Sequence, residues 1–170
     1  MIAVKFHKGQ GLGNQLFCYV TTKSIAYDKK LDHCIFNIEN IGAPRWNSKG
    51  LYFMDVPLNE SNLNESNFVV LHEKELRLFS KDNVHDKNIG CDIRGFDKNL
   101  MKASPFTIIE GIMQDEKYFL HNKTQIKKWL KVKDEFESEE FCSKNICIIN
   151  FRGGEYVNQK ELFLKKKYFS

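Results

Sequence analysis

The sequence predicts an α/β fold built on a parallel sheet, and three observations carry that prediction. A strand-like run, a glycine-rich turn and a breaker-free helical stretch open the chain in direct succession. A second short strand then completes a β-loop-α-β unit. Far downstream, Ile146-Cys147-Ile148-Ile149 is a continuous apolar run, the pattern of a strand covered on both faces.

Taken in order, Ile2, Val4 and Phe6 alternate with Ala3, Lys5 and His7 before Gly9-Gln10-Gly11-Leu12-Gly13 breaks the pattern. The stretch from Gln15 to Lys30 reads as a helix, with Leu16, Val20 and Tyr27 on one face and Asn14 as N-cap. Cys34–Ile38 is the second strand. Glu39 to Asn67 is loop-rich, holding Pro44, Pro57 and a polar doubled segment at 59–67 that reads as a surface insertion. Phe68-Val69-Val70-Leu71 is a brief buried-strand candidate, followed by a short helix at Glu73–Phe79. Phe106–Ile112 reads as a strand and Glu116–Lys131 as a helix, its late lysines suiting the helix dipole. The acidic stretch Asp134–Glu140 is expected to be a surface helix.

At 170 residues the chain has room for one domain with a substantial core, and not for two full α/β domains. Its 14 phenylalanines place large aromatic side chains at core positions. The net charge of +4 is too small, and too scattered, to predict a nucleic-acid surface. Five cysteines (Cys18, Cys34, Cys91, Cys142, Cys147) form no C-x-x-C pair, which speaks against a disulfide framework or a zinc site and for a reducing compartment. No signal-like or membrane-spanning apolar run is visible, so the cytoplasm is the expected location, with peripheral association at the inner face of the membrane as the alternative.

Three constellations are suited to chemistry. The loop Gly9–Gln15 joins a strand to a helix N-terminus, where backbone N–H groups and the helix dipole favour an anion. It lacks the Lys-Ser/Thr of a phosphate loop and the third glycine of a dinucleotide loop, so its spacing leaves a plain turn and a ligand cradle both open. Arg152 follows the apolar run and precedes Gly153-Gly154, at the strand end where α/β folds bind ligands, and its donor fork suits a diphosphate. Gln114-Asp115-Glu116-Lys117-Tyr118-Phe119 also follows a strand; read physically, it is a helix start with acidic first-turn residues. Of the histidines, His7 lies nearest a strand end and is a site candidate, and no metal-ligand spacing appears.

Together these segments resemble the bacterial α-1,2-fucosyltransferases. The family's opening motif, G-G-L-G-N-Q-x-F-x-Y, corresponds to Gln10-Gly11-Leu12-Gly13-Asn14-Gln15-Leu16-Phe17-Cys18-Tyr19 with one departure. Its middle motif, G-Y-x-Q-S-E-K-Y-F, is matched at Gly111, Gln114, Glu116, Lys117, Tyr118 and Phe119. Its later motif, I-H-V-R-R-G-D-Y, corresponds to Ile149-Asn150-Phe151-Arg152-Gly153-Gly154-Glu155-Tyr156. The resemblance implies a Rossmann-like parallel-sheet domain over residues 1–170, the N-terminal, acceptor-side half of a two-domain GT-B-type enzyme. The C-terminal nucleotide-binding half is expected to lie outside this chain, supplied by a further segment or a partner; where it is lost, the apolar edge left behind is expected to drive homodimerisation.

The implied reaction inverts the donor sugar's anomeric centre, moving fucose from GDP-fucose to a galactose-containing glycan in α-1,2 linkage without cofactor or obligatory metal. Arg152 and Glu155 would be catalytic, Gly11, Gly13, Asn14 and Arg152 would meet the donor, and His7, Gln114 and Glu116 would stand on the acceptor side. The general base stays unassigned, with Glu155 and Glu116 both open. The sequence departs from the family at Asn150, Gly153 and Glu155, where the motif has histidine, arginine and aspartate. Either another cation, from Lys165-Lys166-Lys167, replaces the lost arginine, or donor specificity has moved. The alternative is a non-catalytic domain that binds glycan or a partner chain.

Overall fold

The computed structural model describes residues 1–8, 10–41, 50–57, 63–74 and 95–137. The chain divides into units Met1–Phe136 and Glu137–Ser170, and the architecture below is that of the first. The strand predicted at Ile146–Ile149, the rest of the helix predicted after Lys74 and the end of the acidic stretch lie outside the described residues.

The described elements are β1 (Ile2–Lys5), α1 (Leu12–Asp28), β2 (His33–Phe36), β3 (Val69–His72), β4 (Thr107–Glu110) and α2 (Lys123–Trp129), joined by loops and short 3-10 turns. The strands form one sheet in the order β2-β1-β4-β3, every pair parallel. An α/β fold on a parallel sheet is therefore what the sequence builds. Among the described residues, no helix is long and apolar enough to cross a membrane.

Parallel strands bury both faces, and β1 shows why a run of small and branched apolar residues suits its central place: Ile2, Ala3 and Val4 are all fully buried. Ile2, Val4, Phe6, Ile35 and Ile109 pack with Cys18, Tyr19 and Ile25 of α1 in the larger core. Ala3, Phe36, Phe68 and Ile108 form a smaller one. In the latter, Phe68 meets Phe36 edge-on at a centroid distance of 5.2 Å.

The helix α1 ends two residues before Lys30 because Lys30 turns left-handed (φ 54), letting the Leu31 amide donate back to the Ala26 carbonyl. Tyr27, expected on the buried face, is half exposed and stacks edge-on against Trp129. Likewise β2 stops at Phe36, since Asn37 is left-handed and Ile38 starts a 3-10 turn. The predicted loop region contains ordered pairing: Met54 bridges Val132 in antiparallel sense, flanked by bonds from the Asp55 amide to the Lys131 carbonyl and from the Lys133 amide to the Phe53 carbonyl.

Two expectations are corrected. Phe68 is buried, but Val69 is 69% exposed; in the described sheet β3 stands at the end of the order, paired with β4 alone. The helix predicted from Glu116 to Lys131 is instead two 3-10 turns, Glu116–Tyr118 and Leu120–Asn122, followed by α2. Tertiary hydrogen bonds break it. The Tyr118 hydroxyl is drawn into the core, and the Asn122 side chain donates to Ser24 and Asp28 of α1 at 2.6 and 2.7 Å. The described part of the acidic stretch is a 3-10 turn, Asp134–Phe136.

His33 makes stability sensitive to acid. Its Nε2 lies 2.9 Å from Thr22 Oγ1, and its ring meets Tyr19 edge-on. Burial, with the Lys23 charge adding to it, pushes the imidazole down to about 3. The folded state therefore holds fewer protons than the unfolded chain between the usual value near 6.5 and that level, so stability falls as pH drops through this window. Urea unfolding at pH 7 and pH 4 is expected to show a steeper loss for the native chain than for His33→Gln. The difference in slope approaches at most about 1.4 kcal/mol per pH unit. Equal slopes would rule this out.

Candidate functional site

The site starts from the turn after β1. Gly11, not Asn14, is the N-cap of α1, with φ −72 and ψ 166, a conformation open to any residue. Asn14 is thereby carried into the first helical turn, where its Oδ1 accepts from Gln114 Nε2 at 2.7 Å. A Cβ added at Gly11 or Gly13 meets nothing within 4 Å. Neither glycine is required by the packing of the described chain; what their bareness leaves is open approach to the backbone. Gly9 lies outside the described residues.

Gln15, the next motif residue, is structural. It is fully buried, and its Nε2 donates to the carbonyls of Gln10 and Ile41 at 2.9 Å each while its Oε1 accepts from the Leu51 amide at 3.0 Å. Three separated segments are thus pinned by one amide side chain. Beside it, Gln10 closes the turn: its amide donates to the His7 carbonyl and its Oε1 accepts from the His7 amide.

The second motif wraps a buried carboxylate. Glu73, just past β3, accepts at Oε2 from the Ile112 and Met113 amides at 2.9 Å each and at Oε1 from the Tyr118 hydroxyl at 3.1 Å. The Tyr118 oxygen in turn accepts from the Asp97 amide at 2.7 Å, and burial pushes the phenol well above its ordinary range. Gly111 is bare because a Cβ there would stand 2.6 Å from Glu73 Cβ and Oε2. Met113, left-handed at φ 52, turns the chain so that Gln114 reaches Asn14. Two further contacts join the first and second motifs: Phe17 and Phe119 rings lie 5.9 Å apart, and the Cys18 thiol donates to the Gly111 carbonyl at 3.3 Å.

Where the carboxyl ends of β1, β3 and β4 meet, an open cleft of about 430 Å³ is lined by His7, Gln10, Asn14, His72, Glu73, Glu110, Gly111 and Ile112. This is the crevice position that ligands use in open α/β sheets. Glu110 closes its floor, paired in register with His72 of β3. Its Oε2 stands 3.3 Å from His72 Nδ1 and 3.9 Å from His7 Nε2, and its Oε1 is 3.9 Å from Lys5 Nζ. Lys5 is held mainly by Glu65 at 2.8 Å, whose hydrogen bond raises its ammonium above the ordinary value despite some desolvation. Among the described residues no group of three or more His, Cys, Asp or Glu is arranged to hold a metal ion.

The predicted residues divide. His7 and Asn14 line the cleft, and Gln114 is tied to Asn14 at its rim. Glu116 is exposed, in a 3-10 turn started by the Asp115 carboxylate accepting from the Lys117 amide, and is not part of the lining. Gly11 is exposed at the start of α1, while Gly13 lies beside an apolar recess lined by Leu16, Phe17 and Phe119. Arg152, Glu155 and their neighbours Asn150 and Gly153, with Lys165-Lys166-Lys167, lie outside the described residues. Sequence reasoning missed Glu110, His72 and Glu73. The first two carried a signal, each being the polar residue that ends a short apolar strand.

No family model, no curated protein and no solved structure matches this chain.

Proposed function

We propose that the chain is the acceptor-side half of a GT-B-type glycosyltransferase resembling the α-1,2-fucosyltransferases, moving fucose from GDP-fucose to the 2-hydroxyl of a galactoside. The observation that carries this reading is the meeting of two motif segments 100 residues apart: Asn14 with Gln114, Phe17 with Phe119, and Cys18 with Gly111. Motifs that share one rim at the carboxyl edge of a parallel sheet are suited to a common ligand.

In this reading Gly11, Gly13 and Asn14 border the donor, and Arg152 stabilises the negative charge that grows on the departing diphosphate. Glu155 assists beside it. The chemistry uses no cofactor or obligatory metal, and the nucleotide half comes from a further segment or a partner. The protein works in the cytoplasm or at the inner face of the membrane, without nucleic acid. GDP release from GDP-fucose in the presence of a galactoside tests the reading, on the chain by itself and joined to a nucleotide-binding half. Arg152→Ala is expected to lower the rate on the order of 100- to 1000-fold. No acceptor-dependent release from either form would sink the proposal.

A second reading, a glycan-binding domain that transfers nothing, is favoured by Asn150 and Gly153, which remove a histidine and an arginine from the third motif. It expects galactoside affinity that Arg152→Ala leaves unchanged.

A further inference from the structure

Glu73 and Glu110 are the two carboxylates of the cleft, and they differ in what already occupies them. Glu73 spends both oxygens on two backbone amides and a phenol. Around Glu110 the polar side chains stand back, His72 Nδ1 at 3.3 Å, His7 Nε2 at 3.9 Å and Lys5 Nζ at 3.9 Å, although its side chain is only 15% exposed. A carboxylate so placed has acceptor capacity turned to whatever enters.

The lining also selects the kind of ligand. Among the described residues it holds two imidazoles, two side-chain amides and two carboxylates, and no lysine or arginine. A phosphate entering here would face the Glu110 charge, and Lys5, the described ammonium beside that carboxylate, is already held by Glu65 at 2.8 Å. A neutral, hydroxyl-rich ligand meets acceptors in the carboxylate and groups able to donate or accept in the imidazoles and amides. A hydroxyl donating to an ionised carboxylate makes a hydrogen bond about twice as strong as a neutral one.

We propose that the cleft at the ends of β1, β3 and β4 is a neutral-sugar subsite in which Glu110, flanked by His7 and His72, binds a sugar hydroxyl and takes its proton during transfer. The choice of a galactose 2-hydroxyl rests on the functional reading above. In the transfer step the hydroxyl oxygen bonds to the donor's anomeric carbon as its proton passes to Glu110 Oε2. The bond from that carbon to the diphosphate breaks, and its electron pair leaves with the nucleoside diphosphate. His72 is a positioning residue, its Nδ1 standing 3.3 Å from the carboxylate.

The test is binding first, followed by nuclear magnetic resonance titration of the full chain with methyl β-galactoside and its 2-deoxy analogue. The native protein is expected to prefer the parent sugar by about 10-fold or more, the share of one charge-assisted hydrogen bond. Glu110→Ala, checked for an unchanged thermal midpoint, is expected to bind both sugars alike, and His72→Gln to keep a reduced preference. A native protein that does not discriminate the two sugars, or an unchanged preference in Glu110→Ala, overturns the subsite. If Glu110→Ala does not fold, Glu110→Gln is titrated instead and is expected to lose most of the preference, a neutral amide oxygen replacing the carboxylate; an unchanged preference overturns the subsite, and, where the native chain releases GDP, an unaltered rate in Glu110→Gln overturns the proton transfer. GDP release separates the two ideas. Discrimination without GDP release leaves the sugar subsite standing and removes the transferase reading. Release with no discrimination does the reverse.

Discussion

Glu73→Ala is expected to destabilise the protein by about 3 kcal/mol, because it strands a buried and a part-buried backbone amide and a buried phenol together. The donors concerned are the Ile112 and Met113 amides and the Tyr118 hydroxyl. The Met113 amide and the Tyr118 phenol, both in buried bonds, cannot turn to water without moving the segment that follows β4. The same segment carries Gln114 to Asn14, so the variant should also loosen the rim of the cleft. Glu73→Gln retains one carbonyl oxygen and is expected to fall between the native chain and alanine. Urea unfolding of the three proteins checks this; a loss below about 1 kcal/mol for alanine would show that the carboxylate is dispensable.

Gly50→Ala is the second large effect. Gly50 sits at φ +53, and a Cβ there would run into the Ile41 carbonyl oxygen and Gln15 Oε1. Relief requires moving a backbone carbonyl or releasing the Gln15 clamp, which joins the turn before α1, the end of the Ile38–Asn40 turn and Leu51. A loss of about 3 kcal/mol is expected, the sum of a strained conformation and a broken buried network. Asparagine, normally tolerated in this region of backbone space, separates the causes. If conformation alone mattered, Gly50→Asn would be nearly native; the clash predicts that it is as damaged as alanine. Thermal unfolding distinguishes them.

The first third of the fold was legible because its signals are local. Ile2 to Phe6, the glycine turn and the breaker-free stretch that becomes α1 each announce themselves within a few residues. What was illegible depends on distant partners. The Glu116–Lys131 segment has the composition of a helix, yet Tyr118 is claimed by Glu73 and Asp97, and Asn122 by Ser24 and Asp28. Val69 and Val70 read as buried because strand composition does not reveal an edge position. In the site, motif matching drew attention to Gly111 and Tyr118, but the carboxylate they serve lies about 40 residues earlier. Glu110 was overlooked because a single acidic residue ending a strand gains meaning only when His7 and His72 are brought beside it.

The strand order bears on how the protein is made. β4 is the last described strand in sequence, yet it lies between β1 and β3. A chain emerging from the ribosome can pair β1 with β2 across α1 early, while β3 waits for residues 107–110 before it has its described neighbour. Until then Val69 and Val70 are presented on an unpaired backbone, the kind of exposure that invites wrong association. Assembly of the sheet therefore waits on long-range pairing, which is slow compared with local helix formation. The cleft is subject to the same delay: its floor, Glu110, ends the strand that joins β3 to β1, so a nascent chain acquires the cleft and the described sheet in one event.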